Sequence, residues 1–164
     1  MREAAVHLAR GKCRRRAARG PCAVSGVPIP TAGARHSTET PYAQLGGEAA
    51  VRALVDRFYD LMELESAYAA VRALHPPALD GSRDKLFWFL CGWLGGPNHY
   101  IERRGHPMLR ARHLPFAIGS TERDQWMACM ARALADQQVP DPLRERLIGS
   151  LFQTADWMRN QADS

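Results

Sequence analysis

The sequence lacks the cysteine spacings that mark common metal and redox sites. Its four cysteines, Cys13, Cys22, Cys91 and Cys129, form no C-x-x-C pair, which argues against a zinc ribbon and a thioredoxin-type dithiol. Cys91 and Cys129 fall within apolar helical patterns, so we expect buried free thiols there. Scattered cysteines are typical of a reducing compartment, and a cytoplasmic location is therefore expected.

Other signatures are missing as well. No apolar run approaches the roughly 20 residues that a membrane span needs, so no membrane association is expected. Neither H-E-x-x-H nor G-x-S-x-G occurs, which argues against a zincin and a serine-hydrolase elbow. The segment Gly95–Gly96–Pro97 lacks the lysine of a phosphate-binding loop. No alternating apolar pattern of useful length occurs either, which predicts an all-α fold.

Positive charge is concentrated near the N-terminus. The formal net charge is +5, and residues 1–40 hold eight Lys or Arg and two Glu. Residues 41–164 hold 14 Lys or Arg and 15 Asp or Glu, so this part has no overall attraction for phosphates and no nucleic-acid partner is expected. Residues 1–40, rich in Arg, Ala, Gly and Pro, are predicted to be a disordered basic extension, and residues 41–164 the folded domain.

Helical periodicity recurs along residues 41–164. Apolar residues spaced three, four, seven and eleven apart predict a helix after Gly46–Gly47. Further helices are predicted from about Asp80 to Gly95, from Ser120 onward and from Pro140 onward. The buried face of the first helix is expected to comprise Val51, Leu54, Val55, Phe58 and Met62.

The stretch from Gly105 to Phe116 combines two histidines with two prolines. Pro107 suits the first turn of a helix, where its missing N–H is not needed, and Pro115 prevents that helix from continuing. The spacing predicts a helix of about two turns with His113 at its end. His113 fits either a structural turn or a presented ligand, and neutral imidazole is a good axial ligand for haem iron.

A non-covalent haem needs an apolar slot and a positive charge near its carboxylates. Arg112, directly before His113, could meet a propionate. Large apolar side chains that could build the slot are Leu86, Phe89, Leu109 and Phe116.

Separated motifs in a fixed order span about residues 41–158. They are Gly46–Gly47, Arg57–Phe58–Tyr59, Phe89–Leu90, Gly95–Gly96–Pro97 with Tyr100, Gly105–His106–Pro107, Arg110–Phe116 and Glu122–Trp126. Together they resemble the group II truncated haemoglobins. The resemblance covers none of residues 1–40.

The resemblance implies a truncated globin fold, a two-over-two helical sandwich around a non-covalent b-type haem. It implies His113 as the proximal iron ligand. On the opposite, distal side it implies three residues that stabilise a bound ligand, Tyr59, His75 and Trp126. Each of these three also has a structural interpretation, as a core tyrosine, a corner histidine and a core tryptophan. Cofactor contacts are expected for Ser82, Leu86, Phe89, Tyr100, Leu109, Arg112 and Phe116.

These assignments predict a haem protein that binds O2, and other small ligands such as CO or NO, at a five-coordinate iron. Tyr59 O–H, His75 N–H and Trp126 N–H are candidate donors, each worth about 1–3 kcal/mol in a dry pocket. Slow O2 release is therefore expected. The alternative is a haem enzyme with peroxidase-like or NO-detoxifying activity, which would need an external reductase because the sequence has no flavin or nicotinamide domain. A haem-free interaction module and a homodimer stay open.

Overall fold

The computed structural model describes residues 39–162, which form eight α-helices and no strand. The prediction of an all-α fold is thereby confirmed. The predicted N-terminal extension, apart from Glu39 and Thr40, lies outside the described residues, as do Cys13 and Cys22. No helix in the described part is long and apolar enough to cross a membrane. The helices are α1 (Pro41–Leu45), α2 (Gly47–Leu64), α3 (Ala69–Ala73, after a 3-10 turn at Ser66–Tyr68), α4 (Asp80–Trp93), α5 (His99–Arg104), α6 (Leu109–His113), α7 (Ser120–Asp136) and α8 (Asp141–Met158).

Helix α2 supplies the centre of the hydrophobic core. The five residues predicted for its buried face are each at most 3% exposed, so the prediction from periodicity is confirmed. α2 packs against both α4 and α7. Burying a side chain such as Phe58 stabilises the fold by about 1.5–3 kcal/mol. Hydrophobic packing therefore determines the position of α2.

Helix α7 connects α2 to α8 in the core. Its Cys129 is fully buried, and the thiol donates to the carbonyl oxygen of Phe58 at 3.2 Å. Cys91 on α4 is also buried, and both cysteines are free, which confirms the prediction of buried thiols. Burial raises the pKa of Cys129 to about 12 and that of Cys91 to about 11, so both stay protonated and unreactive.

Helix α4 ends before the glycine pair, as predicted. Gly95 has a φ of +89°, a left-handed conformation that residues with a Cβ rarely adopt. A Cβ on Gly96 would lie 2.5 Å from Cδ2 of Tyr42, so this position requires glycine. The N–H of Tyr42 donates to the carbonyl oxygen of Leu94 at 2.9 Å. The glycine pair thus allows α1 to pack closely against the end of α4.

Helix α6 is shorter than the sequence predicted. It begins at Leu109, so Pro107 lies before the helix and not in its first turn, and that prediction was wrong. The reason is Met108, whose left-handed backbone (φ +47°, ψ +45°) interrupts the path from Pro107 into the helix. Nδ1 of His106 accepts the N–H of Met108 at 3.2 Å. The predicted helix end at His113 is confirmed.

Candidate functional site

A cavity of about 530 Å³ is lined by side chains from each of the helices α2 to α8. Its volume is within the range of typical cofactor pockets, roughly 300–1,000 Å³. All the residues predicted for the site line this one cavity: Tyr59, His75, Ser82, Leu86, Phe89, Tyr100, Leu109, Arg112, His113, Phe116 and Trp126.

The cavity has two parts that differ in how the chain builds them. One part, called the distal wall, consists of Tyr59, His75, Ser82, Leu86 and Trp126. These residues come from the helices α2, α4 and α7 and from the corner that follows α3. The part supplied by α6 and the loop after it, residues 109–118, is called the proximal segment.

His113 is half-buried at the end of α6. Its Nδ1 lies 2.7 Å from the carbonyl oxygen of Leu109, one helical turn earlier. Because a carbonyl oxygen only accepts hydrogen bonds, Nδ1 must carry the proton. The neutral ring then has its lone pair on Nε2, the form in which a histidine binds a metal.

A metal at His113 would need most of its ligands from another source. Among residues 39–162, no three side chains of His, Cys, Asp or Glu come together as a metal site. An organic ligand that carries its own metal, and needs one histidine from the protein, satisfies this condition.

His75 lies at the corner after α3 and offers a different hydrogen-bonding group from the one predicted. Its Nδ1 lies 2.9 Å from the carbonyl oxygen of Val71, so Nδ1 again holds the proton and Nε2 the lone pair. Burial lowers the pKa of His75, Arg72 and His113 lower it further, and the hydrogen bond to Val71 opposes them. The ring is therefore neutral at pH 7. The predicted His75 donor is available from Nε2 only after protonation at acid pH.

Tyr59 is a buried residue of α2, with 4% of its surface exposed. Its ring meets the His75 ring edge-on, with centroids 5.7 Å apart, and the Phe58 ring at 5.0 Å. Burial raises the pKa of Tyr59 well above its usual value, although Arg83 and a hydrogen-bonding interaction with Ser82 lower it. The hydroxyl group therefore keeps its proton across the physiological pH range.

Trp126 is half-buried on α7, with its ring centroid 5.3 Å from that of Phe58. Its indole N–H makes no hydrogen bond to any of residues 39–162. Since an indole N–H can only donate, it is available to an acceptor inside the cavity. The preceding residue, Gln125, accepts the N–H of Val71 through Oε1 at 3.0 Å and thereby ties α7 to α3.

Three cations that line the cavity have no carboxylate partner among the described residues, namely Lys85, Arg104 and Arg112. By contrast, Arg123 pairs with Asp124 at 2.8 Å and also with Asp156. Sequence reasoning found Arg112 because it adjoins His113. It missed Lys85 and Arg104, since one cation on a helix gives the same pattern whether it faces solvent or a ligand.

A second, more open cavity of about 620 Å³ adjoins the first. The two share the side chains of Phe89, Tyr100, Leu109 and Thr154. The second cavity is mostly apolar and is lined by His106, but neither His113 nor any residue of the distal wall lines it.

The chain matches known proteins over almost all of its described part. Residues 40–160 match the family model of the bacterial-like globins. A group 2 truncated haemoglobin of Bacillus subtilis is 38% identical over 128 residues, which are 78% of this chain and 94% of that protein. The solved group II two-on-two haemoglobin of the plant pathogen Agrobacterium tumefaciens gives a TM-score of 0.74 at 44% identity, covering 78% of this chain and 99% of that one. A cold-adapted truncated haemoglobin of the Antarctic bacterium Pseudoalteromonas haloplanktis gives 0.73 at 46% identity, covering 76% and 100%.

These matches agree with the cavity and with the order of the motifs. They confirm the resemblance drawn from the sequence, the two-over-two fold, and haem with its iron as the prosthetic group. The chain belongs to the bacterial-like globins, within the group II truncated haemoglobins.

Proposed function

We propose that His113 binds the haem iron and that the distal wall holds O2, or another diatomic ligand such as CO or NO, so that it is released slowly. The observation that carries this proposal is the 2.7 Å hydrogen bond from His113 Nδ1 to the carbonyl oxygen of Leu109. It fixes the tautomer with a lone pair on Nε2, in a residue that lines the cavity.

The residues present fit haem in their chemical character. Leu86, Phe89 and Leu109 provide apolar surface on the cavity wall. The three cations without a carboxylate partner suit a group that brings two propionate carboxylates of its own. Bound haem supplies an iron coordination position that a diatomic ligand can occupy.

The distal wall can then stabilise a ligand with partial negative charge. Trp126 donates from a free indole N–H, and Tyr59 from a hydroxyl group that burial keeps protonated. One such hydrogen bond is worth about 1.4 kcal/mol, or roughly tenfold in the rate of release. A solved truncated haemoglobin of Bacillus subtilis described as oxygen-avid is 38% identical, which favours tight O2 binding here.

The test is an absorption spectrum of the reduced, ligand-free protein with a matched pair of histidine variants. His113→Ala should lose the spectrum of a histidine-bound ferrous haem, and added imidazole should restore it. His106→Ala removes a nearby histidine that does not line the cavity of the site, and its spectrum should match the wild type. If His113→Ala also keeps the wild-type spectrum, another residue binds the iron and the proposal is wrong.

A further inference from the structure

Hydrophobic packing against the rest of the chain gives helix α6 little support. The helix has five residues, and none of them is buried. A helix this short is unstable in isolation, because few hydrogen bonds offset the cost of its first turn. The position of the His113 backbone must therefore depend in part on contacts from outside α6.

Those contacts come from the chain directly after α8. The Nδ2 group of Asn160 donates to the carbonyl oxygens of His113 at 3.3 Å and Phe116 at 2.8 Å. Its Oδ1 accepts the N–H of Ile118 at 3.1 Å. The backbone N–H of Asn160 donates to the carbonyl oxygen of Ile118 at 2.9 Å. One side chain thus contacts three backbone groups of the proximal segment, and the first of them belongs to His113 itself.

A second set of hydrogen bonds joins α6 to the end of α8. The guanidinium group of Arg110 donates to the carbonyl oxygen of Trp157 and, at 3.2 Å, to that of Arg159. Arg110 therefore secures the start of α6 to the end of α8, while Asn160 secures the end of α6 and the loop that follows. Of the two, only Asn160 contacts the backbone of His113.

We propose that Asn160 is a positioning residue that fixes the backbone of His113, and through it the orientation of the imidazole toward the haem iron. The inference rests on the proposed function, because it requires His113 to be the iron ligand. The side chain of Asn160 orients the backbone, and the bond from His113 Nδ1 to Leu109 then orients the ring on that backbone.

The experiment compares Asn160→Ala and Asn160→Asp in the haem-loaded protein. Asn160→Asp keeps the shape and the acceptor for Ile118, but it loses the N–H donors and places a carboxylate oxygen against two carbonyls. The primary measurement is the iron–histidine stretching band in the resonance Raman spectrum of the reduced, ligand-free protein. We expect this band to shift and broaden in both variants, and haem to dissociate about tenfold faster.

Hydrogen exchange at the Ile118 amide distinguishes the acceptor role of Asn160 Oδ1 from the donor role of Asn160 Nδ2. Its protection should fall in Asn160→Ala, which lacks the acceptor, and stay close to wild type in Asn160→Asp. Arg57→Ala is the matched control for stability, because it removes an ion pair to Asp136 between α2 and α7. It should lower the melting temperature without moving the iron–histidine band.

Each outcome has a definite meaning. If both Asn160 variants lower the melting temperature and leave the band unchanged, Asn160 is only structural and the inference is wrong. If the wild type shows no band that depends on His113, the proposed function fails first and the inference fails with it. A shifted band in the Asn160 variants, together with an unshifted band in Arg57→Ala, supports both.

Discussion

The distal wall is built on packed helices, whereas the proximal segment is tied by hydrogen bonds. Tyr59 belongs to an α2 face that is almost completely buried, and Trp126 packs against fully buried Phe58. In the proximal segment, α6 has no buried residue, and Leu114 is 57% exposed. The same cavity therefore has one side positioned by the core and one positioned by polar contacts.

This difference determines how each side responds to mutation. Packing spreads its energy over many contacts, so a distal donor keeps its place when one polar contact is lost. A few directional hydrogen bonds hold the proximal segment, and each of them is worth only about 0.5–1.5 kcal/mol net. We expect substitutions in the distal wall to change ligand release. Substitutions around the proximal segment should change the bond between His113 and iron.

The largest expected effect concerns stability. Phe58→Ala should lower the free energy of unfolding by about 3–5 kcal/mol, because it leaves a cavity beneath both Tyr59 and Trp126. Leu114→Ala, in the exposed proximal segment, should change it by no more than about 0.5 kcal/mol. Denaturant unfolding of the two variants measures the contrast. Equal losses in the free energy of unfolding would show that packing supports the distal wall and the proximal segment alike.

The next effect concerns ligand release. Trp126→Phe should speed O2 dissociation about tenfold, because it removes the free indole donor while keeping an aromatic ring beside Phe58. Stopped-flow measurement of O2 dissociation tests this. Tyr59→Phe should have a smaller effect, since the Tyr59 hydroxyl already interacts with Ser82. An unchanged rate in Trp126→Phe would remove the indole from the distal role.

The smallest expected effect concerns pH. Burial lowers the pKa of His75 below its usual value of about 6.5, so the ring takes up a proton only as the pH falls into the acid range. The proton must go to Nε2, because Nδ1 already donates to Val71, and this creates an extra donor. O2 dissociation should therefore slow as the pH is lowered from 7.5 into the acid range.

The control for this pH effect is His75→Phe, which keeps a ring at the same position. Its O2 dissociation rate should vary less with pH than that of the wild type. A pH dependence that persists undiminished in His75→Phe would show that a group other than His75 is responsible.

The sequence predicted the packed parts of the molecule well. The buried face of α2 follows from apolar periodicity, because burial on a helix repeats every 3.6 residues. The end of α4 follows from Gly95 and Gly96, which provide a backbone conformation and a close approach that other residues cannot. The motif match added the distal residues Tyr59, His75 and Trp126, for which the residues alone favoured a structural interpretation.

The hydrogen bonds that position the proximal segment and the two histidines could not be predicted from the sequence. Asn160 forms a hydrogen bond to the backbone of His113, which lies 47 residues earlier. Local residue spacing cannot predict this contact, because it depends on how α6 and α8 pack. The tautomers of His75 and His113 depend on carbonyl groups that only the folded backbone positions. The wrong start of α6 has a related cause, because Met108 takes a left-handed conformation that its type does not favour.

The tie between Asn160 and the proximal segment also sets an order of events during synthesis. The ribosome makes His113 long before Asn160, and chains fold from the N-terminal side as they emerge. A nascent chain can therefore assemble α2 and α4 while the backbone of His113 still lacks its clamp. We expect firm capture of haem to be a late step that waits until Asn160 has been made and has bound the proximal segment.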